Sequence, residues 1–211
     1  MSDLTESLKQ IVRGEVEEDA SILKPYSRDA SLFEVKPCLV IFPKDSEDIG
    51  NLVKFINNHP AEKLSLTCRA GGSGMDGGAL SESIVLDFTR HMNRIKEIND
   101  DFAVVEPGVF YRDFEKETLK RGRLMPSYPA SKDLCAVGGM VGNNAGGEKS
   151  LVYGKTEKYV MELKAVLADG KEYILKPLSK DGLEAKMRQG DYEGEAYRRI
   201  FKLINDNYEK L

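Results

Sequence analysis

The chain has no tryptophan, only two histidines and only three cysteines among its 211 residues, and each scarcity closes off a class of function. Cys38, Cys68 and Cys135 are odd in number and far apart, so neither a disulfide framework nor a zinc site fits them. All are expected to be reduced and structural, since a free thiol among small or apolar residues behaves as a small hydrophobe. His59 and His91 have no matching carboxylate or cysteine pattern, and His59 precedes Pro60, where the α region is disfavoured and a helix should stop. No catalytic histidine is expected. No run of lysine and arginine is dense enough for a phosphate-backbone groove, and a net charge of −4 gives no general pull toward nucleic acid or anionic membrane. The longest apolar stretches, such as CLVIF and IVLDF, are far too short to span a bilayer. The N-terminus, MSDLTESLKQIVRGEVEED, lacks the apolar core of a signal peptide, so the chain reads as cytoplasmic.

What is present is ordinary for a soluble domain able to bury a core: 41% hydrophobic and 31% charged residues. Leu4, Leu8, Ile11 and Val12 draw a helical stripe over residues 3–14, closed by a glycine. SILKPYSRDAS reads as extended and turn-rich, and CLVIFP as a short strand stopped by Pro43. Ser46 and Glu47 open a helix with Ile49, Leu52, Val53 and Ile56 on one face. KLSLTCR is expected as a strand with Leu64, Leu66 and Cys68 inward, and SIVLDF as another. A second cycle follows, with strands at RIKEIN and DFAVVEPG and a helix over residues 110–120 closed by Gly122. Then come a long irregular stretch, a hairpin turning at Asp169-Gly170, and a last helix with Ile200, Leu203 and Ile204 inward. The cycles predict two subdomains, 1–92 and 93–211.

Two glycine-rich segments stand out. RAGGSGMDGGAL lies between two strands, yet it is neither the G-x-G-x-x-G of a dinucleotide fold nor a Walker loop, because no Lys-Ser or Lys-Thr follows the glycines. Small residues let successive N–H groups converge on an oxygen-rich anion, and Ser73 adds a hydroxyl. On glycine content alone, a phosphate cradle and a plain turn both remain open. The second segment joins Gly138-Gly139 and Val141 to NNAGG, where asparagines either cap turns or offer donor and acceptor edges to a ligand.

RAGGSGMDGGAL, VVEPGV, PASKDLCAVGGMVGNNAGG and LVYGKTEKYV, in this order, resemble the FAD-binding domain of the vanillyl-alcohol oxidase / p-cresol methylhydroxylase (PCMH-type) flavoproteins, in their D-lactate dehydrogenase / glycolate oxidase FAD-subunit branch. The likeness runs from PYSRDAS to the LADG hairpin. It implies an α+β fold of two subdomains with FAD between them. Arg69, Ala70, Gly71, Gly72, Ser73, Gly74 and Met75 would wrap the diphosphate, and Gly78 and Ala79 would close the pocket. Pro107, Gly108, Ser131, Cys135, Ala136, Gly138, Gly139, Val141 and Asn144 would line the rest, with Tyr153 and Gly154 matching the family's tyrosine-glycine. Ser73 stands where several relatives carry a histidine bonded to the flavin, so FAD is expected to bind non-covalently. Ala136 stands where the branch often has threonine, which removes one hydroxyl donor.

The resemblance further implies an oxidoreductase that oxidises a 2-hydroxy acid of the D-lactate or glycolate type by hydride transfer to flavin N5. The arginine and histidine that handle substrate in this branch belong to a second domain, which this chain is expected to lack. The final helix runs to the last residue without a capping signal, which favours an FAD-binding part of a larger enzyme. The alternatives are a stand-alone FAD or electron-transfer subunit that needs a partner, peripheral to a membrane only through that partner, and a non-catalytic flavin-binding protein.

Overall fold

The computed structural model describes residues 2–210. The chain divides into two compact units, Met1–Val160 and Met161–Leu211. The first begins with α1 (Ser2–Lys9), β1 (Glu15–Glu17), α2 (Ala20–Leu23), a 3-10 turn (Lys24–Ser27), β2 (Leu39–Phe42) and α3 (Ser46–Asn58). It continues with β3 (Leu66–Arg69), β4 (Ile84–Asp87), β5 (Ile95–Ile98), β6 (Ala103–Val105), α4 (Tyr111–Leu119), α5 (Val137–Gly142), α6 (Ser150–Tyr153) and a 3-10 turn (Thr156–Tyr159).

Four strands form a sheet in the order β1-β2-β4-β3, with β1 antiparallel and the other pairs parallel. Both central strands are buried on both faces, as their unbroken apolar sequences demand. Alternation sorts their side chains: Leu39, Ile41, Ile84 and Leu86 meet Leu8, Val12 and Leu52, while Val40, Phe42 and Val85 meet Leu23 and Tyr26. α3 starts where Asp45 accepts hydrogen bonds from the Glu47 and Asp48 N–H groups. Its fully buried Asp48 accepts from the backbone N–H groups of Arg13, Gly14 and Lys44, so one carboxylate ties the turn before β1 to the helix. A separate core forms beyond residue 92, where Val109, Tyr111, Phe114, Tyr128, Val137 and Met140 pack beneath the β5–β6 pair.

The second unit holds a hairpin, β7 (Leu163–Val166) and β8 (Glu172–Leu175), followed by α7 (Lys180–Met187) and α8 (Tyr192–Asp206). The turn at Asp169-Gly170 falls where its dipeptide predicts, with Gly170 at φ 74°. α8 is anchored by its first turns: Glu193 pairs with Lys186, and Arg198 donates to the Met187 and Gln189 carbonyls.

Several expectations are corrected. α1 ends at Lys9, and residues to Gly14 form turns, although Val12 still reaches the core. SILKPYSRDAS holds a short helix and a 3-10 turn rather than extended chain, because Asp19 caps the first and Pro25 suits the second. The long stretch after Gly122 contains two short helices, α5 and α6. Cys68 is exposed and not inward, since β3 is an edge strand covered less completely than β2 and β4. Cys38 is half-buried and Cys135 buried, all three free. Ile200, Leu203 and Ile204 are exposed, because α8 buries its N-terminal Glu193 and Gly194 instead of its apolar stripe.

Candidate functional site

The first glycine segment leaves the carboxyl end of β3, next to the end of β4. This is the edge at which parallel sheets present ligand-binding loops. Its course is fixed from both sides. A Cβ on Gly71 would run into the Leu134 carbonyl, with the Cys135 Cα 3.1 Å and the Ala136 N 3.3 Å away. Only glycine lets this loop touch the second segment so closely. Gly72 takes φ +61°, and its open side faces the Arg69 guanidinium, 2.6 Å from where a Cβ would stand. On the outer side the Gly72 carbonyl accepts from the Ala30 N–H at 3.2 Å, and Arg69 Nη2 donates to the Arg28 carbonyl at 2.8 Å.

Two features of this corner matter chemically. Among the described residues, the N–H groups of Gly71, Gly72, Ser73 and Gly74 donate to no protein acceptor. Arg69 Nη1 is buried and likewise without a partner. Buried donors are almost always paired, so the unpaired Arg69 Nη1 points to an anion, and the four partly buried to exposed loop amides beside it in sequence are free to join such a site.

The second segment is built against a Pro-Gly turn. Gly138 donates to the Pro107 carbonyl and Val137 to the Val109 carbonyl, both at 2.8 Å, and Tyr111 donates to the Cys135 carbonyl at 2.9 Å. A Cβ on Gly138 would lie 2.6 Å from the Pro107 Cβ, while Gly108 is wedged under the Phe88 and Met92 carbonyls. The turn is held by Glu106, whose buried carboxylate pairs with Arg94 and Lys96, each at 3.0 Å, and accepts the Arg94 backbone N–H at 2.9 Å. Burial alone would raise the Glu106 carboxyl, but Arg94 and Lys96 outweigh it and hold it down to about 2.

The structure thus brings Arg69, Ala70, Gly71, Pro107, Gly108, Cys135, Ala136 and Gly138 into one corner. Others stand apart. Ser131 caps the turn that leads into Cys135, with its carbonyl accepting from Leu134 and Cys135. The Cys135 side chain lies in the second core, and burial pushes its thiol up to about 11. Gly74 and Gly78 flank Asp76, which accepts the Gly78 N–H, while Met75 is exposed and Ala79 half-buried in the same loop. Gly139 faces open space, and Val141 is half-buried against the core. Asn144, at φ 44°, donates to Glu157 at 2.6 Å and accepts the Glu157 N–H at 3.0 Å, the turn-capping role of asparagine. Tyr153 is exposed with its carbonyl accepting from the Tyr159 hydroxyl, and Gly154 takes φ 86° at the end of α6.

Sequence reasoning missed the flank of this corner. Tyr26 donates to Asp87 at 3.0 Å, and the Arg69 guanidinium lies 5.3 Å from the Tyr26 ring centre. Burial, then the Asp87 charge, pushes the Tyr26 hydroxyl upward, so it stays a donor. Thr89 donates to the other Asp87 oxygen from both its N–H and its hydroxyl. The clue was an acid closing the apolar run IVLD, since a buried carboxylate must find donors. Both histidines are engaged elsewhere: His59 meets the Phe55 carbonyl and stacks on its ring, and His91 meets Glu15.

A family described as "FAD binding domain" matches residues 37–176, two thirds of the chain and both glycine segments. The chain belongs to the PCMH-type FAD-binding domains. It is 31% identical over 194 residues to D-2-hydroxyglutarate dehydrogenase of Escherichia coli, a match covering 88% of this chain and 19% of that protein. It is also 31% identical to glycolate oxidase subunit GlcD of Bacillus subtilis, covering 80% of this chain and 36% of that protein. The chain therefore spans about a fifth to a third of the length of these relatives. An alkyldihydroxyacetonephosphate synthase structure superposes with a TM-score of 0.70 over 92% of this chain and 37% of that one, at 19% identity. That likeness establishes the α+β fold. Among the described residues no helix is long and apolar enough to cross a membrane.

Proposed function

We propose that the chain is the FAD-binding module of an oxidoreductase that oxidises a small 2-hydroxy acid. The observation that carries this is the corner of unpaired donors, Arg69 Nη1 and the N–H groups of Gly71 to Gly74, on a loop within the region matched as an FAD-binding domain. A diphosphate carries the charge and the acceptors that such a set lacks. In this reading residues 69–75 hold the diphosphate, with Gly78 and Ala79 completing the loop. Pro107, Gly108, Ser131, Cys135, Ala136, Gly138, Gly139, Val141, Asn144, Tyr153 and Gly154 line the remainder, Cys135 and Asn144 through backbone or by shaping the loop. The proposed subdomains 1–92 and 93–211 are supported within the first unit by separate cores on either side of residue 92, while residues 161–211 of the second subdomain form a compact unit of their own.

A bound FAD would supply the hydride acceptor. Substrate specificity and proton removal come from a further domain or partner subunit. The relatives, D-2-hydroxyglutarate dehydrogenase and a glycolate oxidase subunit, support both the substrate class and a multipart protein. The absence of a histidine from the first loop, where Ser73 stands, supports non-covalent attachment. The protein acts in the cytoplasm, reaching a membrane only through a partner.

Purified chain should be yellow or turn yellow with added FAD, and acid precipitation should release the flavin to the supernatant. A colourless protein that does not quench flavin fluorescence overturns the module. Colour retained in the pellet overturns non-covalent binding. Bleaching of the flavin by D-lactate, glycolate or D-2-hydroxyglutarate with this chain alone would overturn the assignment of the substrate site to another domain.

A further inference from the structure

The apolar stripe of α8 carries more hydrophobic surface than a free helix face needs. Ile200, Phe201, Leu203 and Ile204, with Tyr208 in the turn just beyond the helix, are between 41 and 72% exposed. Tyr197 is half-buried, and the spacing 197, 200, 201, 204, 208 puts these side chains on one face. Single exposed apolar residues are ordinary, whereas a contiguous set marks an interaction surface. The bonds that hold α8 to the preceding chain come from its first two turns. Glu193 pairs with Lys186, and Arg198 donates to the Met187 and Gln189 carbonyls. Most of the stripe lies beyond them.

The opposite face narrows the kind of partner. Arg198 and Arg199 pair with Glu195, and Lys202 pairs with Asp206, all within the helix. A helix lying in an anionic membrane surface has a basic polar face, and a partner recruited by charge needs an unbalanced one. α8 offers neither.

Its own copy fits. Turned end for end about a point midway between Lys202 and Leu203, α8 lays Tyr197 level with Tyr208 and Phe201 level with Ile204. The same alignment brings Arg199 level with the second copy's Asp206 and Glu195 level with its Lys210, and a two-fold axis repeats each match. A parallel alignment would set every charge level with its like.

We propose that α8 is a self-association surface, on which a second copy of this chain seats its own α8 antiparallel across Ile200, Phe201 and Ile204. The inference is independent of the flavin reading. Fifteen residues make a face about 22 Å long and about 10 Å wide, well short of the roughly 800 Å² per partner of a standard interface. The dimer is accordingly weak and reversible.

The test is sedimentation velocity of the full chain from about 1 to 200 μM, where a small interface of this kind should change from monomer to dimer. It is repeated on Ile204→Glu, on Arg199→Asp, and on Arg199→Asp combined with Asp206→Arg. All three sites are exposed, so the variants should melt close to the parent. The expected result is that Ile204→Glu weakens the dimer at least about tenfold, since it places a charge in the apolar contact. Arg199→Asp should weaken it by a smaller factor, and the double reversal should restore it. A parent that stays monomeric throughout the range overturns the proposal. So does a dimer that Ile204→Glu leaves intact, because its interface lies elsewhere. A dimer lost in Arg199→Asp and not regained in the double reversal overturns the antiparallel pairing. Monomer that co-sediments with phosphatidylserine vesicles, and loses this with Ile204→Glu, gives the stripe to a membrane instead.

Discussion

Gly71 and Gly74 sit three positions apart on one loop, yet they answer different needs. At Gly71 a Cβ would strike backbone atoms of Leu134 and Cys135, which cannot rotate away. Gly71→Ala should therefore destabilise the protein by about 1–3 kcal/mol through overpacking, lowering Tm by roughly 2–12 °C. At Gly74 a Cβ would meet only the Asp76 Oδ1 at 3.2 Å, the end of a flexible and exposed side chain. Gly74→Ala should leave Tm nearly unchanged and weaken FAD binding measured by flavin fluorescence. If both variants lose stability equally, or Gly74→Ala binds FAD as the parent does, the loop's glycines serve folding and not the ligand. At this scale the sequence was legible in kind but not in detail. RAGGSG announced a close approach of backbone, whereas Leu134 as the neighbour, and Tyr26 and Arg90 on the flank, follow from contacts between segments distant in sequence.

The Val105–Pro107-Gly108 passage shows how one element positions another. Glu106 ties it to the start of β5, and the Pro107 carbonyl then receives the Gly138 N–H, so the second glycine segment inherits its place from an ion pair. The Glu106 carboxyl, near 4.5 when unfolded, is held down to about 2 in the fold. A depressed folded value means that the stabilisation is present above the unfolded value and is lost as pH falls from about 4.5 toward about 2. Because Arg94 and Lys96 are more than half exposed, the contribution is discounted to on the order of 1–2 kcal/mol. Urea melts should show the parent more stable than Glu106→Gln at neutral pH, with the gap closing across that acid window. A gap independent of pH would remove the ion pair as its cause. Helices with strong signals, α3 opened at Ser46-Glu47 and α4 closed by Gly122, were readable from residues alone, while the Asp45 cap of α3 came from the structure. α5 and α6 were not, because VGGMVG and SLVY are too short and too glycine-rich to carry a helical period, and contacts with Val109, Pro107 and neighbouring turns define them instead.

Over the whole molecule, stability should be uneven. β2 and β4 are buried along their full length between two apolar layers, whereas β5–β6 and β7–β8 are two-stranded pairs, which are marginal by themselves. Native-state hydrogen exchange should find the amides of Val40, Ile41, Val85 and Leu86 slowest, and those of the β7–β8 hairpin faster by orders of magnitude. Equal protection in both would mean one cooperative unit. The sequence by itself determined the apolar strands, the capped helices, the hairpin turn and the family, because each is written in local period, punctuation or motif. Only the tertiary structure decided that Cys68 faces outward, that the stripe of α8 is uncovered, and that Asn144 caps a turn through Glu157. It also decided that Arg69 Nη1 is buried without a partner, on a loop whose Gly71 to Gly74 N–H groups have no protein acceptor among the described residues. The reason is physical: a residue's period sets which face it shares, but whether that face meets protein, solvent or an anion depends on which distant segment arrives there.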